Sequence, residues 1–228
     1  VVRDLDAVFR PKSVAVVGAT PAAGKIGNIL LENLFSDGYK GKIFFVNPNY
    51  QEILGMPCYR SIMDCPGTVD MAVIVVPAKL VPEVLEQVGQ KGTKAVTIIS
   101  AGFSEGDAEG KERERLVLEI AHKHELRIVG PNSLGVISPH ARLNASFARA
   151  SPLKGSIAFF SQSGAFCTAA IEYSLGETLG FSAFVSSGNK ADIDDADLVR
   201  YFAHDERTSC IAAYMESTRK GPELFQAL

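Results

Sequence analysis

Val14-Ala-Val-Val-Gly-Ala-Thr-Pro-Ala-Ala-Gly-Lys-Ile-Gly27 is the stretch whose reading sets the architecture. An apolar, β-type run leads through a turn of small residues into a helix start at 28–33. Such a turn aims unpaired N–H groups and the positive end of a helix dipole past the end of a strand, where they attract phosphate. Ile157-Ala-Phe-Phe-Ser-Gln-Ser-Gly164 repeats the arrangement ahead of a helical run at 165–175. Two such elements predict a protein that handles two phosphorylated groups, a cofactor and a reacting phosphate.

Outward from the first turn, strand-like and helix-like segments alternate. Ser13–Val17, Lys42–Val46, 69–76, 95–100 and Arg127–Val129 read as strands; Ile26–Ser36, 80–91 and 108–124 read as helices. Val/Ile-rich strands alternating with helices predict an α/β fold with a parallel sheet covered on both faces. Right-handed crossovers make it a doubly wound, Rossmann-like domain, assigned to residues 1–130. The segment 130–155 is rich in Pro, Ser and Asn and reads as a connector, assigned to 131–150. The rhythm restarts with strands at 156–160, 181–185 and 210–215 and helices at 164–175, 196–203 and 222–228. This predicts a partial, flavodoxin-like α/β domain over 151–228. The final helix ends without a capping signal, which predicts that the 228 residues belong to a longer polypeptide.

Composition narrows the function. A net charge of −3 gives no general attraction to nucleic acid or an anionic membrane. No apolar run is long enough to span a bilayer, and Val1-Val-Arg-Asp-Leu-Asp6 does not read as a signal peptide. Cys58, Cys65, Cys167 and Cys210 lack C-x-x-C spacing and are read as reduced thiols of a cytoplasmic protein, with no metal site.

Several phosphate-binding patterns compete at the first turn. A P-loop needs four residues between glycine and Gly-Lys, then a hydroxyl for magnesium. Here five residues separate Gly18 from Gly24, and Ile26 follows Lys25. A nicotinamide dinucleotide fold needs G-x-G-x-x-G and an acid at the end of the second strand. Gly18-Ala-Thr20 lacks the second glycine, and Phe45-Val-Asn-Pro-Asn49 lacks the acid. A wide turn with no acid to repel an added phosphate suits a nucleotide with a 3′-phosphorylated ribose, such as coenzyme A. The competing reading is that Gly18 and Gly27 only permit a tight turn and close helix–sheet packing.

Other strand-ending loops point at the same crevice, because ligands of open parallel sheets lie beyond the carboxyl ends of the strands. Val76, Pro77 and Ala78 are suited to a pantetheine arm; Ser100, Ala101 and Gly102 follow the next strand. Asn132 and the amides near Gly135 are candidates to hold a carbonyl or thioester. Ser161-Gln-Ser-Gly-Ala165 sets hydroxyls at a helix start, although serine is also a favoured helix cap. Glu216 ends a strand with a carboxylate that can orient a histidine, or is a solvated loop acid.

Taken together, Arg10-Pro-Lys-Ser-Val-Ala-Val-Val-Gly-Ala19, Val46-Asn-Pro-Asn-Tyr50, Gly130-Pro-Asn-Ser-Leu-Gly135, Ser161-Gln-Ser-Gly164 and Ser187-Gly-Asn-Lys-Ala-Asp-Ile-Asp194 resemble the NDP-forming acyl-CoA synthetase superfamily. The resemblance is to its ADP-forming acetyl-CoA synthetase type, related to the α subunit of succinyl-CoA ligase, and it covers essentially the whole chain. It implies that acyl-CoA and phosphate yield acyl phosphate and CoA. The phosphoryl group then moves to a histidine and on to a nucleoside diphosphate held by an ATP-grasp domain or subunit that binds ADP/ATP with Mg. It further implies CoA contacts from Gly18, Ala19, Thr20, Lys25, Ile26, Gly27, Asn47, Pro48, Asn49, Val76, Pro77 and Ala78, with Ser100, Ala101, Gly102 and Ser133 beside them. A phosphate cradle is implied at Ser161, Gln162, Ser163, Gly164 and Ala165, and catalytic roles for Glu216 and Asn132.

The chain departs from the family in three places. None of His122, His124, His140 or His204 has the family's Ser-His-Thr-Gly context, so the catalytic histidine is expected beyond this chain and the 228 residues alone are expected not to turn over. Ser133 stands where many relatives carry Cys. Asn49 stands where lysine is common, leaving Lys25, Lys42 or Lys79 to compensate. The partners expected are acyl-CoA, phosphate and the ATP-grasp part, without nucleic acid or membrane and with room for a homo-oligomer. The rival expectations are an acyl-CoA-sensing region of a protein lysine acetyltransferase and a stand-alone CoA-binding module.

Overall fold

The structure, a computed structural model, describes residues 5–228, so the signal-peptide reading at Val1 to Asp4 lies outside the described residues. After a short helix α1 (Asp6–Phe9), strand β1 (Ser13–Val17) is buried along its whole length. Val14 and Val16 pack on one side of the sheet and Ala15 and Val17 on the other. Burial on both faces is the property of a central strand in a parallel sheet.

Then come α2 (Ile26–Ser36), β2 (Lys42–Val46), β3 (Glu52–Ile53), β4 (Met56–Tyr59), β5 (Met71–Ile74), α3 (Val81–Gln90), β6 (Ala95–Ile98), α4 (Ala108–Lys123) and β7 (Arg127–Val129). The sheet order is β3-β4-β2-β1-β5-β6-β7. All pairings are parallel except the β3–β4 hairpin. With that hairpin counted as one strand, the order is third, second, first, fourth, fifth, sixth, as in Rossmann folds. Helices α3 and α4 cover one face through Val81, Leu85, Val88, Val117 and Ala121; α2 covers the other through Leu30, Leu31 and Leu34.

The second sheet is built from β8 (Gly135–Ser138), β9 (Leu143–Ser146), β10 (Leu153–Ser161), β11 (Gly180–Ser186) and β12 (Cys210–Tyr214), in the order β12-β10-β11-β8-β9. Helices α5 (Gly164–Gly176), α6 (Asp195–Ala203) and α7 (Gly221–Ala227) lie between and after these strands. The parallel strands run β11-β10-β12, the second-first-third arrangement that opens a flavodoxin-like sheet.

Residues 130–155 differ from the connector expected. They carry β8 and β9, an antiparallel hairpin that joins the second sheet through β11. Polar composition reads as loop, yet Leu143, Asn144, Ala145 and Ser146 are all buried. Ladder bonds to distant residues and a helix laid across the hairpin stabilise these strands, and neither is visible in local composition.

The two units share one hydrophobic core. Its cluster runs from Val14, Leu30 and Leu34 through Val136 and Leu143 to Phe160, Leu198 and Phe202. Helix α2 is the common layer: Asn33 donates from Nδ2 to the carbonyls of Ser146 (2.8 Å) and Ala148 (2.9 Å). At the far edge the Ile193 N–H donates to the Ile128 carbonyl (3.1 Å), and Phe9 stacks on Tyr201 at 4.9 Å. Arg127 donates to Asp192 and Asp197, each at 2.9 Å, and is itself almost buried. Arg127→Met leaves two carboxylates without their cation, so a loss of about 2 kcal/mol is expected, at the strength of a charge-assisted bond. A urea midpoint lowered at unchanged slope is the measurement; an unmoved midpoint contradicts the assignment.

Candidate functional site

The strand ends of the first sheet open onto a groove of about 500 Å³. Among the predicted residues it is lined by Gly18 from the β1 turn, by Asn47, Pro48 and Asn49 beyond β2, and by Val76 and Pro77 beyond β5. Gly18 has φ +102°, the left-handed region that glycine adopts without strain. A Cβ on Gly27 would lie 2.2 Å from the Gly18 carbonyl oxygen, so the missing side chain lets α2 press onto the turn. Gly27 thus serves close packing, while Gly18 also lines the groove. Lys25 precedes α2 without a side-chain cap, and the N–H groups of Ile26 and Gly27 find no acceptor among the described residues.

The remaining predicted cofactor residues serve mainly to shape this edge. Ala19 is fully buried, and its carbonyl accepts from Asn47 Nδ2 at 2.8 Å. Asn47 Oδ1 accepts the Asn49 N–H at 3.0 Å, so the Asn47 side chain braces two turns. Thr20 Oγ1 accepts the Ala22 N–H at 3.2 Å, and Ser100 Oγ donates to the Val76 carbonyl at 2.6 Å. Ala78 begins the short 3-10 turn before α3, and Ala101 and Gly102 are exposed beyond β6. Ser133 is 2% exposed; its hydroxyl donates to the Ser186 carbonyl (2.6 Å) and accepts from the Gly135 N–H (2.9 Å). Its side chain is thereby turned into the protein, leaving only its backbone to a ligand.

Sequence reasoning missed the groove's cation. Lys25, Lys42 and Lys79 are exposed and none lines the groove, whereas Arg60 does. It follows β4 directly, and the detectable signal would have been a basic residue after a third strand that the sequence reading did not identify. Ser61 beside it is held by Gln87, which accepts its hydroxyl at 2.7 Å.

A second, polar cavity of about 270 Å³ gathers loops from both units. Ser104 and Glu105 come from beyond β6, Asn132 from beyond β7, Gln162 from beyond β10, Gly188, Asn189 and Lys190 from beyond β11, and Glu216, Ser217 and Arg219 from beyond β12. Asn132, Gln162 and Glu216 thus line one cavity. Gln162 Oε1 accepts the N–H groups of Glu216 and of Ser217 (2.9 Å), fixing the loop that carries the Glu216 carboxylate. That carboxylate has no hydrogen-bond or ion-pair partner among the described residues.

The other members of the second cradle do not line the cavity. Ser161 is buried, with its hydroxyl bonded to the Ser163 backbone, and Ser163 caps α5 by accepting the Phe166 N–H at 3.2 Å. The N–H groups of Gly164 and Ala165 find no acceptor among the described residues, which leaves this helix end open to an anion.

Asn189 and Lys190, in the family-like Ser187–Asp194 stretch but given no individual role from sequence, order the cavity wall. Asn189 donates to Glu105 (2.6 Å) and Glu114 (2.9 Å), and Asn132 Nδ2 lies 3.4 Å from Asn189 Oδ1. Burial raises the Glu105 carboxyl pKa, but bonds from Asn189 and from the Gly102 and Phe103 amides outweigh it and hold it below the ordinary value. Lys190 donates to Asp195 and to the Ser217 carbonyl, each at 2.6 Å. All four cysteines are free, and burial pushes the Cys65 and Cys167 thiols up to about 11. Among the described residues no helix is long and apolar enough to cross a membrane.

Known proteins resemble the chain along its length. Residues 12–139 match the CoA binding domain family and residues 154–228 the succinyl-CoA ligase like flavodoxin domain. The chain is 50% identical over 226 residues to the acetate–CoA ligase (ADP-forming) I subunit alpha of Pyrococcus furiosus, covering 97% of this chain and 49% of that one. It is 47% identical over 222 residues to acetate–CoA ligase (ADP-forming) I of Archaeoglobus fulgidus, covering 97% of this chain and 32% of the relative. The dinucleotide-forming acetyl-coenzyme A synthetase 1 of Ca. Korarchaeum cryptofilum, solved with phosphate and ADP, superposes with a TM-score of 0.94 at 40% identity, over 98% of this chain and 48% of that one. The chain spans a third to a half of the length of these relatives.

Proposed function

The chain belongs to the NDP-forming acyl-CoA synthetase family, a CoA binding domain followed by a succinyl-CoA ligase like flavodoxin domain, and we propose that it is the CoA-handling part of an ADP-forming acid–CoA ligase. The observation that carries this reading is the convergence of strand ends. One sheet opens a groove lined by Gly18 and a guanidinium, with the free N–H groups of α2 packed behind Gly18; loops from both sheets wall the polar cavity.

The groove residues fit coenzyme A better than a nicotinamide dinucleotide. Asn47 follows the second strand directly, so the carboxylate that a nicotinamide dinucleotide fold carries at that strand end is missing. Val76 and Pro77 offer an apolar path for the pantetheine arm, and Asn132 offers an amide to the thioester carbonyl. In the polar cavity phosphate attacks that carbonyl; the C–S bond breaks, CoA leaves as thiolate and acyl phosphate remains. Glu216, at the end of β12, is placed to hold a histidine supplied by the longer polypeptide. That histidine takes the phosphoryl group from acyl phosphate, releasing the free carboxylate, and passes it to ADP in an ATP-grasp domain or subunit, where Mg belongs. A cytoplasmic setting accords with four free thiols and a thioester substrate. The acetyltransferase-sensor and stand-alone-module readings gain no support from these relatives, which are ligases.

Binding to the folded state alone stabilises it by mass action, about 2.7 kcal/mol at a hundredfold excess over Kd. For a chain of this size CoA is expected to raise the melting midpoint by about 5–10 °C, and NAD to leave it unmoved. A scanning-fluorimetry titration reads this directly. No shift with saturating CoA, or an equal shift with NAD, removes the proposal.

A further inference from the structure

We propose that Arg60 is the specificity-determining cation of the groove and binds the phosphomonoester on the CoA ribose. The inference rests on the CoA reading above and adds which atom of the ligand the chain discriminates by.

Among the described residues, Arg60 is the only cation lining the groove and Glu83 the only anion. The guanidinium is exposed and has no hydrogen-bond or ion-pair partner among the described residues. An arginine without an internal partner beside Asn47 and Asn49 keeps its planar fork free for an oxyanion. Its place is set by rigid structure: Tyr59 pairs with Val46 at the end of β4, and Ser61 begins a capped 3-10 turn.

Sheet order decides which phosphate it meets. Gly18 lines the groove at the end of β1, and the α2 start with its free Ile26 and Gly27 N–H groups packs against it, the place where a pyrophosphate belongs. Arg60 follows β4, two strands away across β2. At about 4.8 Å per strand the offset is about 10 Å, the reach from pyrophosphate to the ribose end. Arginine near the second strand is also how dinucleotide folds accommodate an extra ribose phosphate. The departure at Asn49 is thereby explained: the positive charge sits on the neighbouring strand end.

The test is calorimetric titration of the 228-residue chain and its Arg60→Ala variant with CoA and with 3′-dephospho-CoA. The wild-type chain is expected to prefer CoA by about tenfold, a preference that weakens as salt is raised. Arg60→Ala is expected to bind both ligands equally, at the wild-type affinity for 3′-dephospho-CoA, and to melt where the wild type does without ligand. A preference that survives in the variant overturns the proposal. So does an equal loss for both ligands, which would place Arg60 on the pyrophosphate. A wild-type chain that binds neither ligand defeats the CoA reading itself, and is told apart by that result.

Discussion

Lys190→Met is expected to cost about 3–5 kcal/mol of stability, the penalty for leaving one member of a buried ion pair alone. Lys190 and Asp195 are each 2% exposed at the side chain, and their Nζ–Oδ2 distance is 2.6 Å. Asp195 Oδ1 already lacks a partner, so removing the ammonium strands a whole carboxylate away from water. The same ammonium holds the Ser217 carbonyl, so the variant also frees the loop that presents Glu216 to the polar cavity. Removing both charges tests the cause. Lys190→Met combined with Asp195→Leu is expected to recover most of the loss, since an apolar pair of similar volume needs no desolvation. Denaturant unfolding of the two variants at constant slope is the measurement. A single-variant loss under about 1 kcal/mol, or a double variant no better than the single, contradicts this account.

Gly27→Ala is the second large effect, expected to cost about 3 kcal/mol, at the upper end for overpacking. The added Cβ would stand 2.2 Å from the Gly18 carbonyl and 3.4 Å from the Ala19 Cα. These are backbone atoms, so no side chain can swing aside. Either α2 or the β1 turn must retreat. Since α2 also packs on the second sheet through Asn33, retreat loosens the joint between the units. It also withdraws the Ile26 and Gly27 N–H groups, so CoA affinity is expected to fall more than tenfold. Gly176→Ala is the control: nothing lies within 4 Å of its built Cβ, and neither stability nor CoA affinity is expected to fall. A Gly27→Ala chain that melts and binds as the wild type does would show that the close approach is unimportant.

Much of the fold was legible locally. Ser13–Val17, Lys42–Val46 and Arg127–Val129 are strands with the expected bounds, and α2 spans the expected Ile26–Ser36. Runs of Val and Ile between helical periodicities report burial on two faces, which is a property of the sequence itself. The hairpins β3–β4 and β8–β9 were not legible. Glu52–Ile53 is two residues long, and Gly135–Ser138 and Leu143–Ser146 sit among Pro, Ser and Asn. Each exists because a partner strand remote in sequence supplies its ladder bonds, such as Val136 opposite Val185.

The candidate site divides the same way. Gly18, Asn47, Pro48, Asn49, Val76 and Pro77 were legible as lining one groove because turns after parallel strands gather at the same edge of the sheet. Arg60 was missed because its strand was missed; Asn189 and Lys190 fall within the family-like Ser187–Asp194 stretch, but their contacts with Glu105, Glu114 and Ser217 lie on other elements. By itself the sequence determined the two β/α units, the glycine turn without an acid, and the order of strand-ending loops, since periodicity and small-residue turns are written in adjacent residues. Only the tertiary structure decided that α2 and one core weld the units together, that Ser161 of the second cradle is buried, and that the groove's positive charge comes from Arg60. Those outcomes depend on which distant backbones and side chains meet, and spacing along the chain carries no record of that.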